Sequence, residues 1–322
     1  MNATTYTARA HTNIALIKYW GKKNEELILP MNSSLSLTLD RFYTETSVTF
    51  DERLKEDLFL LDNSKKNSIK VSKFLDIVRQ KAAISIKAKV VSQNHVPSTA
   101  GLASSASAYA ALALAASKAA GLDLNKKELS RLARRGSGSA CRSIYGGLVE
   151  WQEGNDDQTS FAYPIKIPTD FEVTMVALVI STDYKKISSR AGMKRVVETS
   201  PYYSAWIQNT AEDLNNIKQA ILERDFETFG EISEENAMKM HALNMSAHPH
   251  FSYFEPDTIK AMQIVEKLRS QGISCYYTLD AGPNLKVICL KKDVQVITDF
   301  LSDSFGQEKV FVAGPGPAAH LI

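Results

Sequence analysis

The segment Pro97-Ser-Thr-Ala-Gly-Leu-Ala-Ser-Ser-Ala-Ser107 runs directly into an alanine-rich stretch at residues 106–120. Alanine is the strongest helix former, so a helix is expected there. The Pro/Gly/Ser run ahead of it reads as a loop. A loop that ends at a helix start collects donors, because the first helical turn leaves backbone N–H groups unpaired and the helix dipole favours negative charge. Ser104, Ser105 and Ser107 add hydroxyls, and Gly101 lets backbone approach a ligand closely. The combination suits a phosphate. Small residues at a helix start also serve plain packing, and the loop alone leaves the two readings level. No G-x-x-x-x-G-K-[S/T] occurs in the chain, so a phosphate loop of that type is excluded.

Around this feature strands and helices alternate, the mark of an α/β architecture. Strands are expected at residues 46–50, 58–61, 84–91 and 171–180, which are rich in β-branched and aromatic residues. The pattern changes near residue 181. Helices are then expected at 202–224, 225–247, 257–271 and 293–305, with strands at 276–279, 285–290 and 309–313. In the first of these helices Trp206, Thr210, Leu214, Ile217 and Ile221 form one stripe. At about 150 residues per domain, the 322 residues suggest two, divided as 1–183 and 184–322.

Composition narrows the function. Lys and Arg number 38 against 36 Asp and Glu, a net charge of +2, so binding to a polyanion by bulk charge is excluded. Basic residues are not interleaved with aromatics, and no nucleic-acid partner is expected. The longest apolar run, Ala108 to Ala116, is nine residues, short of the roughly 20 a membrane helix needs. The opening MNATTYTARAHTNIAL lacks the pattern of a signal peptide. Cys141, Cys275 and Cys289 show no C-x-x-C spacing, and reduced thiols in the cytoplasm are the expected state.

Several other segments carry charge or hydroxyls. Gly136-Ser-Gly-Ser-Ala-Cys-Arg142 offers hydroxyls and a guanidinium suited to a phosphate or carboxylate. Lys18-Tyr-Trp-Gly-Lys22 and Lys185-Lys-Ile-Ser-Ser-Arg190 add cations. Asp280-Ala-Gly-Pro-Asn284 consists of common turn residues and could be no more than a turn. Arg131, Arg134 and Arg135 are expected on a solvated helix face. His248-Pro-His250 lacks a third metal ligand and reads as a surface turn, and Gly314-Pro-Gly-Pro cannot open a dinucleotide-binding helix.

Taken together, the stretch from Ala10 to Lys22 (AHTNIALIKYWGK), the serine-rich loop, GSGSACR and DAGPN resemble the GHMP small-molecule kinase superfamily, and within it the mevalonate diphosphate decarboxylases. His11 departs from a proline common in that family. The resemblance implies a ribosomal-protein-S5-like N-terminal domain, a ferredoxin-like C-terminal domain and a cytoplasmic homodimer. It also implies a reaction: mevalonate 5-diphosphate and ATP give isopentenyl diphosphate, ADP, phosphate and carbon dioxide. Phosphorylation turns the C3 hydroxyl into a leaving group, and its departure draws in the electron pair released with carbon dioxide. A kinase that stops after phosphorylation is the near alternative, and a non-catalytic metabolite-binding module the distant one.

By the same resemblance Asp280 orients the C3 hydroxyl and accepts its proton, and Lys18 keeps that aspartate ionised. Asn13 and Ser189 position substrate, and Arg142 orients its carboxylate. Tyr19, Trp20, Gly21, Lys22, Ser137, Gly138, Ser139, Ala140, Cys141, Arg190, Met193 and Ala281 match substrate-holding positions. ATP is assigned to Ser92, Asn94, Pro97, Ala100, Gly101, Leu102, Ala103, Ser104, Ser105 and Ser107. Lys185 or Lys186 assists near the γ-phosphate, and Mg2+ is joined by Ser107.

Overall fold

The computed structural model describes residues 4–95, 104–169, 171–181, 183 and 186–322. Two sheets organise them. In the first, Thr5–Ile17 pairs antiparallel with Ser34–Phe50, whose other edge takes Ala88–His95 and Leu148–Trp151. Leu58–Leu61 runs parallel to Ala88–His95. The opening of Ser34–Phe50 alternates strictly: Leu35, Leu37 and Leu39 enter a hydrophobic core, and Ser34, Ser36 and Thr38 occupy the opposite, equally buried face. The strand expected at 84–91 begins instead at Ala88. The Ile86 carbonyl accepts from Arg79 Nε at 2.8 Å and the Ala88 N–H donates to Asp57 at 2.8 Å, so side chains take ladder groups there.

Helices α1 (Ile69–Ala82), α2 (Ser104–Ala119) and α3 (Lys126–Gly136) cover one face of this sheet. Ala110, Ala111, Ala113, Ala115 and Ala116 of α2 are fully buried in a cluster that includes Ala8 and Ala10 of the sheet. Small side chains on both sides bring helix and sheet close together, which fixes where the helix starts relative to the strands. α3 corrects one expectation, since Arg134 is fully buried rather than solvated. Arg134 donates to the carbonyls of Leu27 and Ser160 and pairs with Asp157, as does Arg131. The compensating carboxylate comes from a loop distant in sequence, which helical spacing alone could not reveal.

The second sheet is wholly antiparallel, in the order Cys275–Leu279, Leu285–Cys289, Thr174–Leu178, Val310–Ala313. Between Thr174–Leu178 and Cys275–Leu279 the chain forms α4 (Ser189–Thr199), α5 (Tyr203–Glu223), α6 (Phe226–Ser246) and α7 (Pro256–Ser270), and between Leu285–Cys289 and Val310–Ala313 it forms α8 (Val294–Phe305). Val176, Leu178, Tyr277, Leu279, Leu285 and Val287 pack on α7 and α8. On the other face Met175, Tyr276 and Ile288 share a core with Leu214, Ile217 and Phe229 of α5 and α6 and with Ile14, Leu16, Leu35 and Leu37 of the first sheet. Each such aliphatic side chain contributes about 1.5–3 kcal/mol when fully buried. One continuous core therefore locks the two sheets together. Among the described residues no helix is long and apolar enough to cross a membrane.

Candidate active site

Lys18 follows directly on Thr5–Ile17, where the chain leaves the shared core. Its buried Nζ donates to the Ala15 carbonyl at 2.7 Å and to Asp280 Oδ1 at 3.0 Å. The backbone is clamped as well. The Lys18 N–H donates to Asn236 Oδ1 and the Lys18 carbonyl accepts from Asn32 Nδ2, both at 2.8 Å. Asn236, fully buried in α6, is aimed by its own donation to Asp213 Oδ2 of α5 at 2.8 Å. Burial draws the Lys18 ammonium down to about 8 against the opposing pull of Asp280, so it is charged at neutral pH.

Asp280 opens the turn after Cys275–Leu279. DAGPN forms this turn. Asn284 Oδ1 accepts from the Ile180 and Ser181 N–H groups at 2.7 and 3.0 Å, and Gly282 N–H donates to the Asp280 carbonyl at 2.8 Å. Turn chemistry thus holds a carboxylate that is 24% exposed at the edge of a cavity. A second ammonium, Lys286, lies 3.6 Å from Asp280 Oδ2.

Arg142 sits in the 3-10 segment Gly138–Ile144 and is almost wholly buried. Its Nη1 donates to Ser34 Oγ at 2.6 Å, and its Nε to Ser36 Oγ at 2.8 Å and Asn13 Oδ1 at 3.2 Å. Asn13 Nδ2 donates onward to Ser143 Oγ and the Ser139 carbonyl at 2.8 and 3.0 Å. The serine face of Ser34–Phe50 thus pins the guanidinium. Neither serine was legible as a partner from sequence. Their alternation with leucines was the available signal.

These groups converge on a cavity of about 860 Å³. Lys18, Asn13, Arg142, Asp280, Ser189, Tyr19, Trp20, Lys22, Ser137, Gly138, Ser139, Arg190, Met193, Ala281, Ser104 and Ser105 all line it. Burial raises the Tyr19 phenol well above its ordinary range, so it stays a neutral donor. Other expected residues stand behind the wall. Ala140 and Cys141 belong to the N-terminal core, where burial pushes the Cys141 thiol up to about 12. Gly21, at φ 130°, passes so close to Tyr203 that a Cβ would lie 1.9 Å from its hydroxyl, which donates to the Trp20 carbonyl at 2.8 Å.

At the serine-rich end the picture is divided. Ser107 Oγ is fully buried, 2.8 Å from Thr44 Oγ1 and donating to the Ser104 carbonyl at 3.1 Å. Ser92 Oγ lies 2.9 Å from Thr46 Oγ1, and Asn94 Oδ1 accepts from Thr44 Oγ1 at 3.0 Å. None of these three lines the cavity, and Lys186 is exposed outside it. Pro97, Ala100, Gly101, Leu102, Ala103 and Lys185 lie outside the described residues. The cavity gains residues that sequence reasoning missed, notably Lys70 and Lys73 of α1, Tyr109 of α2 and Arg135 of α3.

Comparison with known proteins places this geometry. Residues 10–162 match the diphosphomevalonate decarboxylase-like N-terminal domain, and residues 175–314 the mevalonate 5-diphosphate decarboxylase C-terminal domain. The chain is 36% identical to the diphosphomevalonate decarboxylase of Bos taurus, covering 94% of this chain and 81% of that one. A solved complex described as MDDEF with MVAPP, AMPPCP and magnesium superposes with a TM-score of 0.96 at 52% identity, over 99% of each chain. The mevalonate diphosphate decarboxylase of Staphylococcus aureus also gives 0.96, at 46% identity over 99% of this chain and 98% of that one. Domain models, a curated relative and solved folds agree over nearly the whole length, and the chain belongs to the mevalonate 5-diphosphate decarboxylase family.

Proposed function

We infer that Asp280, held by Lys18, is the group through which this chain performs its family's reaction, the ATP-dependent decarboxylation of mevalonate 5-diphosphate. The observation that carries the assignment is the 3.0 Å contact between Lys18 Nζ and Asp280 Oδ1 at a cavity wall, made by residues from opposite ends of the chain. Asp280 orients the C3 hydroxyl and takes its proton as the phosphoryl group transfers. A carboxylate is a weak base, and a loose transition state lets the proton leave late, so position matters more than strength. Loss of phosphate from C3 then draws the electron pair of the breaking C–C bond into a new double bond. Arg142, spread over Ser34, Ser36 and Asn13, steers the substrate carboxylate without a bidentate grip. A tight grip would oppose conversion to neutral carbon dioxide. Tyr19, Lys22, Ser139 and Arg190 bind the diphosphate.

ATP enters beside the start of α2, with Ser104, Ser105, Lys70, Lys73 and Arg135 toward its phosphates. A magnesium ion held at this end of the cavity would supply positive charge to offset that of the phosphates. The Ser104 and Ser105 hydroxyls are hard oxygen donors of the kind it takes, and they face the cavity as Ser107 does not. Among the described residues no cluster of three His, Cys, Asp or Glu side chains could hold the ion alone. The division into two domains, expected at 183/184, is read here as falling between residues 164 and 174, and the pairing of Thr174–Leu178 inside the second sheet supports that reading. The three buried, unpaired cysteines suit the cytoplasm, and a homodimer is the assembly that sedimentation should report.

The test is stoichiometry. With ATP and mevalonate 5-diphosphate the protein should release one carbon dioxide for each ADP formed. ADP and a phosphorylated acid without gas would reduce the assignment to a kinase.

A further inference from the structure

Lys286 occupies the second position of Leu285–Cys289, and its side chain is 1% exposed. Its neighbours Leu285, Val287 and Cys289 face α7 and α8, so alternation sends Lys286 to the same face as Ile288, which belongs to the core joining the two sheets. An ammonium in such a place is costly unless it is paired. Its Nζ donates to the Asn284 carbonyl at 3.1 Å and lies 3.6 Å from Asp280 Oδ2, while Lys18 takes Oδ1 at 3.0 Å. One carboxylate is thus flanked by two buried cations, one on each oxygen.

We propose that Lys286 is a positioning residue for the reaction, holding the second oxygen of Asp280 so that the carboxylate keeps both its plane and its charge while anionic substrates occupy the cavity. The proposal rests on the reading of Asp280 as the proton acceptor. Each incoming phosphate and the substrate carboxylate bring negative charge toward Asp280, and like charge favours its protonated, inactive form. Lys18 is one counterweight, and Lys286 supplies a second that is committed to no substrate. Among the described residues, further ionisable groups near Asp280 come from other elements. Arg142 interacts with it from the 3-10 segment, and Arg190 lines the cavity from α4. His241 of α6 is held neutral, its burial and Lys18 lowering it to about 3.

The experiment compares Lys286→Met, which keeps length and removes charge, with the wild type under saturation by both substrates. The acid limb of the kcat profile should move upward by about one pH unit, and kcat measured on that limb, below both midpoints, should fall about tenfold, as loss of one such stabilising charge predicts. KM for ATP should stay within about twofold, since α2 and its surroundings are untouched. An unmoved acid limb in a folded variant overturns the proposal. Asp280→Asn, assayed in parallel, separates the two claims: if it too is active, the reading of Asp280 fails as well, and if it is inactive only the role of Lys286 fails. Should Lys286→Met not fold, the double variant with Asp280→Asn decides. Pairing predicts that it melts no lower than Asp280→Asn alone, and a lower melting point overturns the proposal.

Discussion

Lys18 is held on three sides: its ammonium, its N–H and its carbonyl each have a partner from a different part of the chain. In the proposed role its charge keeps Asp280 ionised, and burial brings it down to about 8. In the free enzyme kcat/KM should therefore fall about tenfold per pH unit above pH 8. The sign for stability is opposite. The unfolded chain binds the proton up to about pH 10.5 while the folded one releases it near 8, so this group makes folding more favourable as pH rises between those values. Activity should be lost between pH 8 and 9 with no loss of melting temperature traceable to Lys18. Activity that stays flat across that window would remove Lys18 from its role.

At the scale of elements, α2 makes the clearest test. Ser107 lies one turn inside the helix, where its hydroxyl meets Thr44 of the adjacent strand instead of the cavity. Ser107→Ala should cost stability by about 1–3 kcal/mol, the usual penalty for leaving a buried polar partner unsatisfied, and should leave ATP affinity nearly unchanged. Weaker ATP binding at unchanged stability would return Ser107 to the phosphates. The helix itself was legible because its alanines and the loop before it are local signals, and α5 to α8 fell close to their expected spans for the same reason. The long strands were not. Thr5–Ile17 mixes polar and apolar residues and shifts register between His11 and Asn13, so no clean period of two runs along it. Arg134 and Lys286 were illegible for a related reason, since a charged side chain in a core is explained only by a partner from elsewhere in the chain.

At the scale of the whole molecule, the Lys18–Asp280 pair proposed as catalytic is a product of the shared core. Residues 18 and 280 are separated by nearly the full chain, and nothing local brings them together. Ile14 and Leu16 just before Lys18, and Ile288 on the strand after Asp280, are buried in one cluster, and that cluster sets the distance between the two side chains. The resemblance of short motifs could assign their roles, but only the packed core shows that the contact is made. The rest of the account depends on that contact. Its most direct test is a rapid-quench, single-turnover measurement on Asp280→Asn saturated with ATP and mevalonate 5-diphosphate. The account predicts that nucleotide still binds while ADP and carbon dioxide both form at least about 10²-fold more slowly than in the wild type. Both products appearing at the wild-type rate would contradict it.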